Sequence, residues 1–342
     1  MWAVVNTTRY AAERTWVQDK NANKIWLVAV KITYDIFPDG SVQLAKEQLP
    51  VLVQGQHIGE PYQSSLRYES DLYGIKPGTD ILLNGSAWQR YGQAAESVDV
   101  KMTVGSVAKQ LRVFGDRYWE KGLSGISIST PQPFVSMPII YERAYGGWDK
   151  AHEDPREHRV EGRNPIGTGF AIKAEHLVGK ALPNIEYPHQ LIDSWKDRPA
   201  PAGFSAIECH WSPRRELAGT YDEHWQKQRA PLWAEDFNPR YHHAAPIDQQ
   251  SVHYLHGGET VELFNLTPTG HLTFKLPRVY LTFETKIGKQ VIEHRGQLTS
   301  VTLEPDASRL IMVWQTALMR NSGIDDLDHT IVSEKTIVGA VA

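Results

Sequence analysis

The sequence predicts a mainly β fold: antiparallel, β-sandwich-like sheets drawn from both chain ends, with a loop-rich, Trp- and Pro-rich segment between them. Three observations predict it. Residues Ile25 to Ile36 alternate with the period of a strand, the last third repeats short apolar runs separated by turn residues, and 13 of the 20 prolines crowd between Pro131 and Pro246.

Along the chain, Trp26, Val28, Val30, Ile32, Tyr34 and Ile36 share one side of the first strand, with Lys31, Thr33 and Asp35 on the other. This is the pattern of a half-buried strand. Pro38-Asp39-Gly40 then turns the chain, because Pro presets φ and Gly accepts φ > 0, and Val42 to Ala45 is the returning strand. A second hairpin pairs Val98 to Val104 with Val107 to Val113 across Gly105-Ser106, a dipeptide suited to a type II′ turn. In the last third the strands are Thr260 to Leu266, His271 to Leu276, Val279 to Ile287, Gln290 to His294, Leu298 to Leu303 and Arg309 to Leu318, the last two joined by Glu304-Pro305-Asp306.

The middle is ordered by other means. Six of the 11 tryptophans lie between Trp119 and Trp233, so large side chains supply burial where prolines remove ladder donors. One short helix is expected over Thr220 to Arg229, with Thr220 as N-cap and Glu223 at the third helical position. The organisation is therefore read as residues 1–130, N-terminal antiparallel β; 131–250, irregular; and 251–342, C-terminal antiparallel β, the two β regions sharing a core.

With 36 Lys+Arg against 40 Asp+Glu, the net charge of -4 removes the basic excess of a nucleic-acid binder. A hydrophobic content of 41% against 22% charged residues supports a sizeable core and excludes general disorder. The single cysteine, Cys209, forms no internal disulfide. Polar Asn6, Thr7, Thr8 and Arg9 stand where an export signal needs an apolar run, and the apolar runs are strand-sized, so a cytoplasmic protein without membrane insertion is expected.

A search for chemistry returns little. Ten of the 14 histidines fall between His152 and His256, yet His152 and His158 are six apart with Pro155 between them, where a zincin helix needs four. His242 and His243 are adjacent, which leaves His253 and His256 as the pair a turn would bring together. No metal and no cofactor are expected. Gly122-Leu123-Ser124-Gly125 places its second glycine one residue early for a nucleophile elbow, and Gly167-Thr168-Gly169 lacks a third glycine and a Walker lysine. Cys209 beside His210, if in a strand, points to the opposite face and makes no thiolate pair. Glu142, Asp222 and Asp236 in a Trp-lined cleft would suit glycoside hydrolysis. Their bland reading, holding loop backbone, is the stronger one.

What remains is a series of dense motifs: Gly115-Asp116-Arg117-Tyr118-Trp119, Glu142-Arg143-Ala144-Tyr145-Gly146-Gly147, Asn164-Pro165-Ile166-Gly167-Thr168-Gly169-Phe170, Leu182-Pro183-Asn184-Ile185-Glu186, His210-Trp211-Ser212-Pro213-Arg214, Gly219 to Trp225, and Asp236-Phe237-Asn238-Pro239-Arg240. With Val30-Lys31, Asp71, Lys76-Pro77-Gly78-Thr79-Asp80 and Gly257-Gly258-Glu259, this ordered series resembles a family of bacterial proteins, formerly a domain of unknown function, encoded in type VI secretion clusters beside effectors and spike components. The resemblance covers nearly the whole chain. It implies a non-enzymatic adaptor or chaperone whose partners are a secreted effector and the spike protein or its PAAR-type tip. No contact residues carry over. On side-chain chemistry alone, Arg143, Tyr145, Trp148 and Arg214 are the expected partner-binding residues, because Tyr, Trp and Arg dominate interface hot spots. The competing readings are the glycan hydrolase and a scaffold that binds only the spike.

Overall fold

Lys24–Ile36 is a central strand of the largest sheet, and both of its faces explain why. Trp26, Val28, Val30, Ile32, Tyr34 and Ile36 enter the main core together. The opposite face is not wet, which corrects the half-buried expectation: Leu27 and Ala29 pack there against Leu72, Ile311 and Val313. Lys31 is only 3% exposed on this face, and its ammonium is neutralised by Asp71 at 2.8 Å. Thr33 exchanges hydrogen bonds with the Gln48 side chain, its N–H donating and its carbonyl accepting. Period two thus told which residues share a side; a covering segment around residues 48–75 decided that both sides are buried.

The computed structural model describes residues 2–122, 125–320 and 326–335. Leu123 and Ser124, half of the elbow-like tetrapeptide, lie outside the described residues. The large sheet runs Gln250–Ser251, Thr79–Leu83, Gln297–Glu304, Arg309–Arg320, Lys24–Ile36, Ala11–Gln18, with Val42–Leu44 also pairing with Lys24–Ile36. Its pairs are antiparallel except Thr79–Leu83 with Gln297–Glu304. The two chain ends meet directly, Trp26 opposite Leu318 and Val30 opposite Trp314. A second, antiparallel sheet runs Ile185–Glu186, Val107–Phe114, Ser97–Val104, Thr260–Phe264, His271–Lys275. In the third, Ala3–Asn6 lies parallel to Leu327–Glu334, followed by Leu281–Ile287 and Gln290–Arg295. One core draws on all three sheets: Trp26 and Met312 from the first, Met102 and Leu263 from the second, Phe283 and Val332 from the third. The protein is mainly β, with several antiparallel sheets.

The turns obey their residues. Gly40 takes φ +83° and Gly105 φ +56°, as their hairpins require. Among the described residues the one α-helix, Glu223–Gln228, starts two residues later than its sequence indicated: Asp222 caps it, accepting from the Trp225 N–H at 2.9 Å. Thr220 is taken instead by Asp236, whose carboxylate accepts from both its N–H and its hydroxyl at 2.9 Å.

In the middle segment the recurring motifs interlock. Asn164, fully buried, donates through Nδ2 to the carbonyls of Tyr141 and Tyr145, and Tyr145–Gly146 pairs with Thr168–Gly169. The approach is so close that a Cβ on Gly147, at φ +96°, would sit 2.3 Å from the Gly167 carbonyl oxygen. Gly147→Ala is therefore expected to cost about 2 kcal/mol or more, from left-handed strain plus a backbone clash. Urea unfolding checks it; a loss under about 0.5 kcal/mol would mean that the motif yields easily. Arg117 and Glu186, both buried, likewise form an ion pair between two of the motifs, and Arg117 lies over the Phe114 ring at 3.9 Å.

Candidate functional site

Where the middle segment meets one end of the large sheet, the surface opens into a groove of about 560 Å³. The sheet contributes Val17 from Ala11–Gln18, Ile25 from Lys24–Ile36 and Met319 from Arg309–Arg320. The segment Tyr73 to Pro77 forms another wall, and Trp233, Phe237 and His242 close it from the middle segment. Three contacts tie the middle segment to the turn after Ala11–Gln18: Trp233 Nε1 donates to the Gln18 carbonyl at 3.2 Å, Lys20 Nζ to the Glu235 carbonyl at 2.9 Å, and Arg229 to the Lys20 carbonyl. The walls are mostly apolar and the volume suits a few large side chains.

Along the groove and beneath it the aromatic rings form one continuous cluster of tilted and edge-on contacts. Trp233 meets Phe237 at 4.6 Å, Phe237 meets His242 at 5.4 Å, and Tyr73 meets Tyr241 at 5.9 Å. Gly74 is small for a reason: a Cβ there would meet the His242 ring at 2.4 Å. Burial, helped by Arg214, Lys76 and His243 nearby, lowers the His242 imidazole from 6.5 to about 4, so it stands neutral in this wall. The Tyr73 phenol is raised, first by burial and then by its hydrogen bond to Tyr241.

The base of the groove is fixed by charge. Asp80, fully buried, accepts from Lys76 Nζ at 2.7 Å, His243 Nδ1 at 2.6 Å and the Ala244 N–H at 2.9 Å. Lys76 also donates to Ser300 Oγ at 2.7 Å. Burial alone would raise the Asp80 carboxyl, but Lys76 and His243 outweigh it and hold the group well below its usual range. Lys76 and Pro77, next to this cluster, line the groove.

Of the four residues expected to bind a partner, Arg214 belongs to this site from behind. Its guanidinium is 4% exposed, stacks over Tyr73 and Tyr241 at 5.5 and 5.6 Å, and pairs with Glu69 at 2.7 Å, so it supports the stack without facing solvent. Tyr145, 2% exposed, packs with Trp119 and Leu182 in a separate core cluster. Arg143 is half-buried and engaged with Asp116 at 3.2 Å and Asn184 at 3.0 Å. Trp148 is the exposed member, at the rim of a different, more polar cleft of about 460 Å³ beside Asp149 and His176. Sequence reasoning passed over Val17, Tyr73 and Met319 and named Phe237 only within a motif. The usable signal was the four-residue spacing of Trp233, Phe237 and Tyr241.

Of the three carboxylates weighed for glycoside chemistry, Asp222 and Asp236 line one cleft of about 450 Å³ with Trp225, and Glu142 is not among its residues. Glu142 accepts from the Ser65 N–H at 2.7 Å and from the Ser65 hydroxyl, while Asp222 and Asp236 hold the helix cap and Thr220. Backbone and hydroxyl donors from Thr220 keep Asp236 below its usual value, the opposite of what a general acid needs. Of the histidine pairs, His242 and His243 face different partners, and His158 accompanies the His152 carbonyl at 3.0 Å.

No helix among the described residues is long and apolar enough to cross a membrane. No curated protein and no solved structure matches the chain. The sequence model of one family, described as an uncharacterized protein conserved in bacteria, matches residues 21–315, which take in the large sheet except Ala11–Gln18 and the last five residues of Arg309–Arg320, together with the whole groove-forming middle segment, and the chain therefore belongs to that bacterial family, DUF2169.

Proposed function

We propose that the protein is a non-enzymatic adaptor or chaperone that holds a segment of a type VI secretion effector in the cytoplasm and helps load it onto the spike. The observation that carries this reading is the apolar groove of about 560 Å³. Its occupant is read as an extended or helical client segment inserting large apolar side chains between the sheet end and the Trp233–Phe237 wall. A rigid base at Asp80 and a stacked aromatic wall favour binding, since little side-chain freedom remains to be lost. The motif series that resembles type VI adaptors gives the class of client; the spike or its PAAR-type tip is the second partner on the same reasoning. The hydrolase reading gains nothing from carboxylates already committed to backbone donors.

The test uses the purified full chain and, as probes, the products of neighbouring genes that read as toxins. Trp233→Ala is expected to weaken toxin binding about thirtyfold, roughly 2 kcal/mol, and Met319→Asp, at a position 54% exposed, to weaken it comparably with an unchanged melting temperature. Trp148→Ala should leave affinity within about twofold. Tight binding to the spike with none to the toxin would establish the scaffold reading instead. Loss of toxin binding in Trp148→Ala alone would move the client to the other cleft.

A further inference from the structure

Glu208, Cys209 and His210 are consecutive, and in a strand they would diverge. They lie instead in a turn closed by a hydrogen bond from the Trp211 N–H to the Glu208 carbonyl at 3.1 Å. The turn corrects the strand-based expectation for Cys209 and His210: one oxygen of Glu208, the Cys209 sulfur and a ring nitrogen of His210 all come within 4.8 Å of one another. A second element aims the carboxylate. His57, on the short strand Gln56–His57, places Nε2 2.5 Å from Glu208 Oε1, which leaves Oε2 turned to His210 Nδ1 at 3.8 Å. Glu208 is buried, Cys209 half-buried and His210 exposed, so the cluster is rooted in the fold and open on one side.

We propose that this turn is a binding site for a zinc-class divalent transition-metal ion, with Glu208, Cys209 and His210 as ligands and His57 as the positioning residue for Glu208. The donor set decides the class. Thiolate and imidazole select borderline-soft ions, whereas magnesium and calcium need oxygen cages that one carboxylate cannot supply. Three protein ligands with an exposed side leave a coordination position for water or an incoming group. The His57–Glu208 pair repeats the arrangement in which a carboxylate and an imidazole orient one another around a metal. Binding replaces the thiol proton of Cys209 by the metal, and the proton leaves to solvent, so affinity rises with pH. The spacing rules applied to the sequence could not find this site, because they look for ligands a helical turn or more apart, and these are adjacent.

The experiment uses the untagged full chain, stripped with a chelator and titrated with Co²⁺ as the probe. Expected are one ion per chain, visible d–d bands, a thiolate-to-cobalt charge-transfer band in the near ultraviolet, and displacement by Zn²⁺ but not by Mg²⁺ or Ca²⁺. Cys209→Ser should abolish the charge-transfer band and weaken binding at least tenfold; His210→Ala should weaken it while keeping the band. His57→Ala should weaken binding about tenfold with the sulfur band intact, the mark of a positioning residue. Each variant is melted alongside. Absence of binding, binding without a sulfur band, or wild-type affinity in a folded Cys209→Ser chain would each overturn the proposal.

Discussion

Asp80→Ala is expected to cost about 3–5 kcal/mol of folding stability, because it strands a charge inside the protein. Asp80 is fully buried and takes hydrogen bonds from Lys76, His243 and Ala244 at 2.7, 2.6 and 2.9 Å. Without it, Lys76, itself only 4% exposed, keeps Ser300 at 2.7 Å as a neutral partner and no counter-charge at its tip. The Ala244 N–H is left unpaired as well. The loss would be read as a fall in urea midpoint at pH 7. Lys76→Met combined with Asp80→Leu should recover much of it, since removing both charges is far less costly than removing one. A single-variant loss under about 1 kcal/mol would mean that water reaches the cluster. Asp80→Ala should also loosen Tyr73 to Pro77, so on the proposed adaptor reading client binding and stability would fall together here, whereas at Met319 they would separate.

That cluster shows why some of the fold was legible and some was not. Lys76-Pro77-Gly78-Thr79-Asp80 stood out as a motif because nearly every residue has a fixed duty: Lys76 and Asp80 pair, Thr79 donates to the Leu298 carbonyl at 2.5 Å, and a Cβ on Gly78 would sit 2.1 Å from the Ser251 carbonyl oxygen. The sequence displays such density without saying that Thr79 and Gly78 meet Leu298 and Ser251, far along the chain. Strands with strong alternation and a Gly turn, Lys24–Ile36 and the pair Ser97–Val104 with Val107–Phe114, were readable because period and turn chemistry are local. Ala3–Asn6 and Leu327–Glu334 were not, because their parallel pairing joins the two ends of the chain and leaves no local turn signal. The site divides the same way. Aromatic richness marked the middle segment, but choosing Arg143, Tyr145, Trp148 and Arg214 by residue type ignored burial, and burial sent Tyr145 and Arg214 inward. The groove's other wall, Val17, Ile25 and Met319, comes from strands whose ends meet only after the sheet forms.

Acid should weaken the protein before its lowered aspartates titrate, and His242 sets the window. In the unfolded chain this imidazole takes up a proton near 6.5, while in the fold burial first, then Arg214, Lys76 and His243, hold its value down to about 4. Above pH 6.5 both states are neutral and the group has no pH-dependent effect. Between 6.5 and 4 the unfolded state binds the proton and the fold does not, so stability falls as pH falls and levels off below about 4. The fall from 6.5 to about 4 makes this loss on the order of 3 kcal/mol. His294, also lowered by burial and flanked by the Thr285 and Thr316 hydroxyls, acts in the same direction. Glu186 opposes them, since burial raises its carboxyl and the fold takes its proton first. The lowered aspartates, Asp80 and Asp149 among them, lose their contributions only on further acidification, below the 3.8 of a free aspartate. Urea midpoints at pH 7.5 and 4.5 should therefore differ in the wild type, and His242→Gln should narrow the difference whatever it does to stability at pH 7.5. A wild-type midpoint that is flat across this range, or an undiminished drop in His242→Gln, would show that the imidazole in the groove wall takes its proton as readily as one in water.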